Sequence, residues 1–119
     1  MQRYSILWAD DEIDLLKPHI LFLTQRGYDI TPVNNGSDAV ELSESKHFDV
    51  VFLDEHMPGM SGLEALALIK NNKPNLPVVM ITTEGSQAKV MEAVTLGAAG
   101  YIRKPFTAEQ IKEKLASIF

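Results

Sequence analysis

Four residues of this chain have the types and the spacing to do chemistry together. Asp10 and Asp11 follow the apolar run SILWA, Asp54 closes the run VVFLD, and Lys104 follows the short run GYIR and precedes Pro105. All four stand at the carboxyl ends of apolar runs. If those runs are neighbouring parallel strands, their ends meet, and three carboxylates share a small volume with one ammonium. Two like charges 4 Å apart repel by about 4 kcal/mol at an effective dielectric near 20, so such a cluster calls for a neutralising cation. The chain has no cysteine, and His56 is the only histidine near the cluster in sequence. The ligand set is therefore oxygen, which selects a hard cation that keeps part of its water shell, Mg²⁺ first and Mn²⁺ as a substitute, and disfavours zinc. A carboxylate beside such a cation can attack the phosphorus of a phosphorylated donor to give an aspartyl phosphate, with Asp54 as the nucleophile. Phosphoryl transfer asks for in-line positioning and for cations around the equatorial oxygens, which Mg²⁺ and Lys104 would supply. Thr82, closing the run VVMIT, would hold the remaining oxygen and draw a loop inward.

The elements that must position these side chains are legible in the pattern. Short apolar runs alternate with longer amphipathic stretches, the signature of βα units around a parallel sheet. The strand candidates are residues 5–9, 29–33, 50–54, 78–82 and 100–103. The first, third and fourth are nearly continuous apolar, as expected of central strands covered on both faces. The second contains Pro32, which donates no ladder hydrogen bond and belongs on an edge. Between them, apolar residues recur at helical spacing: Ile13, Leu16, Ile20 and Leu23; Leu63, Leu66 and Ile69; Ile111, Leu115 and Ile118. A further helix is expected over about residues 37–45. Capping-box spacing at Ser61 to Glu64 and Thr107 to Gln110 marks two helix starts, and Gly27 and Gly97 mark stops. Pro18 falls inside the first helical pattern, so that helix either begins near Asp14 or kinks. Five such units make an α/β fold, a three-layer α/β/α sandwich on a parallel sheet of order 2-1-3-4-5. In that order a crevice opens at the carboxyl ends of strands one and three, where Asp10, Asp11 and Asp54 fall.

With 119 residues the chain is the size of one domain and can bury about two thirds of its unfolded surface. Hydrophobic content is 45%, charged content 23%, and the net charge is −5. An acidic balance argues against direct binding to nucleic acid or to an anionic membrane, either of which wants a basic face. The first residues lack the apolar core of a signal peptide and no run is long enough for a membrane span, so the expectation is a soluble cytoplasmic chain.

The segments LWADDE, FLDEHMPGMSGLE, VMITTEG and GAAGYIRKPF together resemble the receiver domain of two-component response regulators, the CheY-like, flavodoxin-like superfamily, over the whole chain, residues 1–119. The resemblance implies that Asp54 is the phosphoacceptor, Asp11 a direct metal ligand and Asp10 its partner acting largely through water. It also implies that the backbone carbonyl of His56 completes the metal site, that Lys104 binds phosphate, that Pro105 follows a cis peptide, and that Thr82 and Tyr101 are the switch hydroxyl and the rotating aromatic. The implied partners are a sensor histidine kinase or a histidine phosphotransfer protein, and an effector or an output domain beyond this chain. The implied contact face is built from the fourth helix, the last strand and the last helix, and it allows a phosphorylation-dependent homodimer. Such a chain assists its own phosphorylation and dephosphorylation without turning over an external metabolite. It is either a stand-alone regulator or a receiver cut from a longer one.

Plainer readings exist for each residue. An Asp pair after a strand usually caps a helix, and a lone lysine is usually a surface residue; their coincidence at matching strand ends is what favours a site. Trp8, where a smaller aliphatic is usual in the family, reads as core. His56 reads as a solvent-facing loop side chain, and His56 and Glu84 occupy positions that tune phosphate lifetime in the family. His19 and His47 read as surface or helix-end residues, and Met57, Met60 and Met91 as core and loop filler. A Mg²⁺-dependent phosphatase of haloacid-dehalogenase type also uses a strand-end Asp, but it wants a second Asp two residues later, where this chain has His56, and usually a cap domain. A flavodoxin-like cofactor carrier needs a hydroxyl- and glycine-rich phosphate loop, whereas ADDEID would repel a phosphate.

Overall fold

The structure is a computed structural model that describes residues 3–83 and 87–119. Five parallel strands, β1 (Tyr4–Ala9), β2 (Tyr28–Val33), β3 (Val50–Asp54), β4 (Val78–Thr82) and β5 (Gly100–Arg103), lie in the order β2-β1-β3-β4-β5. The helices between and after them are α1 (Lys17–Gln25), α2 (Gly36–Ser45), α3 (Gly62–Asn72), α4 (Gln87–Thr95) and α5 (Ala108–Ile118). Every residue of β3 and β4 is buried, because helices cover both faces and leave no side of the strand wet. β2 is an edge strand, as Pro32 requires.

Two apolar layers sandwich the sheet. One packs Leu7, Val51, Leu53 and Met80 against Leu66 and Ile69 of α3. The other packs Ile6, Trp8, Phe52 and Ile81 against Leu23 of α1 and Ile111 and Leu115 of α5. Alternate residues of β1 and β3 thus serve opposite layers, and the register Trp8 to Phe52 and Ala9 to Leu53 brings the end of β1 level with the end of β3.

Local signals place the helix ends. Ser61 and Thr107 each cap a helix through a reciprocal capping box with Glu64 and Gln110. Gly27 and Gly97 adopt φ of +92° and +102°, the left-handed conformation that ends the preceding helix. Neither geometry expected at Pro18 occurs. Residues Ile13–Leu16 form a separate 3-10 turn and α1 starts afresh at Lys17, which puts Pro18 in the first helical turn, where its missing N–H breaks no bond. Among the described residues no helix is long and apolar enough to cross a membrane.

Candidate functional site

The ends of β1, β3, β4 and β5 meet in one place. Ligand oxygens of Asp10, Asp11 and Asp54 all lie within 4.8 Å of one another. Asp10 and Asp54 are buried and Asp11 is exposed at the mouth. Lys104 crosses from β5 and sets its Nζ 3.0 Å from Asp54 Oδ1 and 3.2 Å from Asp10 Oδ2.

Each position has a local cause. The Asp10 N–H donates to the Val33 carbonyl of β2 at 3.1 Å, extending the sheet one residue past β1. Its Oδ1 accepts from the Glu12 N–H at 2.9 Å and its carbonyl from the Ile13 N–H at 3.0 Å. Asp10 therefore braces the bend before the 3-10 turn with one oxygen, without capping that turn, and faces Lys104 with the other.

Asp54 is held from behind. The next residue, Glu55, donates its N–H to the Ile81 carbonyl at 2.9 Å and accepts from the Gly62 N–H at 2.9 Å, so the start of α3 is pinned to the end of β3. A Cβ on Gly62 would run into the Asp54 carbonyl oxygen and would lie 2.8 Å from Glu55 Cα and 2.9 Å from Met80 Cε; only glycine fits. Burial pushes the Asp54 carboxyl above its ordinary pKa, Asp10 and Asp11 push it further, and the hydrogen bond and charge of Lys104 pull against them. For Lys104, burial alone would lower the pKa, but the hydrogen bond to Asp54 and the charges of Asp10 and Asp54 outweigh it and hold the ammonium protonated.

Lys104 is anchored by its own backbone, whose N–H donates to the Thr82 carbonyl at 2.8 Å, and the following Lys104–Pro105 peptide is cis. Thr82 is buried at the end of β4, level with Arg103 of β5. Tyr101, half-buried on edge strand β5, packs against the layer beneath α4. His56 is exposed in the loop after β3, as read from the sequence. Glu84 lies outside the described residues.

Trp8 is core, fully buried, edge-on to Phe52 with ring centroids 5.4 Å apart and 6.1 Å from Phe106. His19 departs from the surface reading. It is half-buried against Phe106 at 5.3 Å, with Nε2 3.4 Å from the Phe106 carbonyl oxygen. His47 is exposed and pairs with Asp49. Met57 is buried and Met60 half-buried, but Met91 stands 58% exposed on α4 beside Val94, so it is no filler.

The site passes a simple test of fit for a hard cation: three carboxylates converge, one of them open to water, and among the described residues no sulfur or imidazole donor joins the cluster. The sequence reading did not single out Glu55, whose carboxylate is buried and shifted upward by burial. Lys89 and His56 oppose that shift, and Glu92 and Asp54 add to it. Its place directly after an all-buried strand was the available signal.

A doubly wound sheet of this order opens a crevice at its β1/β3 switch point, and here that crevice gathers the acidic groups and the lysine that follows the last strand. The chain matches the response regulator receiver domain family over residues 6–116, and it belongs to that family. It is 38% identical to the chemotaxis protein CheY-3 of Vibrio cholerae over 121 aligned positions, covering 99% of this chain and 93% of that protein. It is 32% identical to the probable transcriptional regulatory protein TcrX of Mycobacterium tuberculosis, covering 98% of this chain but only half of that protein. Among solved structures, the CheX–CheY–BeF₃–Mg complex from Borrelia burgdorferi superposes with a TM-score of 0.90 at 28% identity, covering 98% of this chain and 89% of that one. The chain is thus a CheY-like receiver domain of two-component signalling.

Proposed function

We propose that residues 1–119 act as a phosphorylation-controlled switch in which Asp54 accepts a phosphoryl group from a phosphohistidine on a sensor histidine kinase or a histidine phosphotransfer protein. The observation that carries this reading is the convergence of Asp10, Asp11 and Asp54 within 4.8 Å, with the Lys104 ammonium 3.0 Å from Asp54. In the transfer, an Asp54 carboxylate oxygen forms a bond to phosphorus as the phosphorus–nitrogen bond breaks, and the departing imidazole takes up a proton. Lys104 is poised to pair with an equatorial oxygen of the transferred group, and the buried Thr82 hydroxyl to receive another. Asp11, Asp54, Asp10 through water, and the His56 carbonyl would hold Mg²⁺, with Mn²⁺ as a substitute. When bound, that ion supplies positive charge for the phosphoryl oxygens. The relative from Borrelia burgdorferi, whose complex contains beryllofluoride and Mg²⁺, supports the choice of metal.

The structural response runs through Thr82 and Tyr101 to the face of α4, β5 and α5, where Met91 and Val94 are already exposed. An effector protein, an output domain or a second copy would read that face. Making a 1% conformer dominant takes about 5.5 kcal/mol of preference from the phosphoryl group. The chain assists its own phosphorylation and dephosphorylation, turns over no external metabolite, binds neither nucleic acid nor membrane directly, and works in the cytoplasm.

Incubation with acetyl phosphate and Mg²⁺ followed by intact-mass measurement tests the reading. A metastable gain of one phosphoryl group that is absent in Asp54→Asn supports it. Multiple-turnover release of phosphate from a phosphoester, with His56 required, would sink it in favour of a phosphatase.

A further inference from the structure

Each charged partner in the two Lys104 ion pairs has an aromatic ring two positions away in the chain: Phe52 before Asp54, Trp8 before Asp10, and Phe106 after Lys104 itself. The register Trp8 to Phe52 sets the first two side by side in the sheet. The rings then continue in a row. Trp8 meets Phe52 edge-on at 5.4 Å between centroids and Phe106 at 6.1 Å, and Phe106 meets the His19 ring edge-on at 5.3 Å. His19 Nε2 also lies 3.4 Å from the Phe106 carbonyl oxygen, within reach to donate to it. Phe106 is thus held by β1 on one side and by α1 on the other.

The two rings that hold it are poor choices for cohesion alone. Trp8 Nε1 and His19 Nδ1 are buried and have no hydrogen-bond partner among the described residues. A buried polar atom without a partner is destabilising, and an aliphatic side chain at either position would leave none. Local rules broken in this way call for a reason in the neighbouring site. That neighbour is Lys104, whose backbone N–H is tied to the Thr82 carbonyl at 2.8 Å but whose ammonium sits at the end of a flexible stem. The point from which the stem starts depends on the chain to either side, β5 before it and Phe106 after it. A cleft of about 410 Å³ with Lys104, His19 and Phe106 among its walls gives the stem room to swing away if that chain shifts.

We propose that Phe106, gripped between Trp8 and His19, is the positioning residue for Lys104: the grip fixes where the chain leaves β5 and so where the ammonium stands against Asp54 and the incoming phosphoryl group. The inference rests on Lys104 binding that group, as proposed above. It gives Trp8 and His19 a part in phosphoryl transfer although neither touches the reacting atoms, and it predicts that their effect is felt through Lys104 and not through the metal.

A double-mutant cycle tests it. The rate of acetyl phosphate labelling at saturating Mg²⁺ is followed by intact mass in wild type, Phe106→Leu, Lys104→Ala and the double variant. Phe106→Leu keeps apolar bulk but loses the ring contacts, and should slow labelling at least fivefold while the Kd for Mg²⁺ stays within twofold. In the Lys104→Ala background the same substitution should change the rate less than twofold, because a residue acting through Lys104 has nothing left to act on. His19→Leu should repeat the pattern with a smaller loss, and His19→Gln, which keeps a donor for the Phe106 carbonyl, should recover part of it. Should Phe106→Leu fail to melt cooperatively, the His19→Leu cycle decides alone. Equal losses with and without Lys104, or no loss in either variant, overturn the positioning role and leave the acceptor reading intact. Lys104→Ala labelled as fast as wild type would strike the role of Lys104, and an unlabelled wild type that of Asp54; either result overturns the positioning role as well.

Discussion

Asp54→Asn should make the metal-free protein more stable, although it removes the proposed phosphoacceptor. Asp54 faces two carboxylates at no more than 4.8 Å. At an effective dielectric of 20 each repulsion is at least about 3.5 kcal/mol, roughly 7 in all. Against this stands one ammonium at 3.0 Å, an attraction of about 5.5 kcal/mol on the same scale. The balance is about 1.5 kcal/mol of repulsion, to which burial of the charge adds. Asparagine removes the charge, keeps an oxygen for Lys104, and leaves the Lys104–Asp10 pair at 3.2 Å in place. In EDTA at pH 7 the variant should be about 1–2 kcal/mol more stable, read as an increase of roughly 0.5–1 M in the urea midpoint. The sign follows from linkage. The pKa of Asp54 is raised in the folded state, so its penalty is full above that raised value and absent below the unfolded value near 3.9. The advantage of asparagine should therefore fade as the pH is lowered toward 4. Saturating Mg²⁺ should narrow or reverse the difference, since an ion at 100 times its Kd contributes about 2.7 kcal/mol to the wild type and less to a protein short of one ligand. An Asp54→Asn protein less stable than wild type in EDTA at pH 7, with an undiminished response to Mg²⁺, would refute the electrostatic account.

Gly62→Ala should cost about 3 kcal/mol or more in urea unfolding, because the added methyl meets backbone at Asp54 and Glu55, and it should slow acetyl phosphate labelling by displacing the acceptor. Thr82→Ala should retain Mg²⁺ binding but blunt the amide shifts that beryllofluoride produces around Tyr101; an unchanged response would remove Thr82 from the switch. Thr107→Ala removes the hydroxyl that accepts from the Gln110 N–H at 3.2 Å and should cost about 1 kcal/mol of stability without altering Mg²⁺ affinity, as thermal melts and a Mg²⁺ titration would record.

The sheet and its acidic crevice were legible because burial on both faces leaves an unambiguous mark. VVFLD and VVMIT are apolar up to their last residue, and that last residue, Asp54 or Thr82, is the one placed at the crevice. Pro32 marked the edge for an equally direct reason, its missing donor. Pro18 was ambiguous because periodicity does not reveal a 3-10 turn that resets the helix after Leu16. His19 looked like a surface residue because its cover, Phe106, lies 87 positions away and arrives only when the loop after β5 folds over α1. Glu55 escaped notice for a related reason. An acid beside an acid at a strand end looks solvated, yet Glu55 is only 7% exposed in the fold.

Lys104 has a kinetic consequence as well. Its backbone is tied to β4 through Thr82, its chain position directly follows β5, and its ammonium reaches the ends of β1 and β3 through Asp10 and Asp54. Four strand ends therefore converge on one flexible side chain. Rotamer changes of such a chain take picoseconds to nanoseconds when it is free to move, whereas displacement of a helix takes microseconds or longer. A ligand that competes for Asp54 would therefore displace the lysine on the fast timescale, ahead of any helix movement. If α4 carries the output, as proposed above, the site would sample and reject a visitor many times within a single excursion of that face.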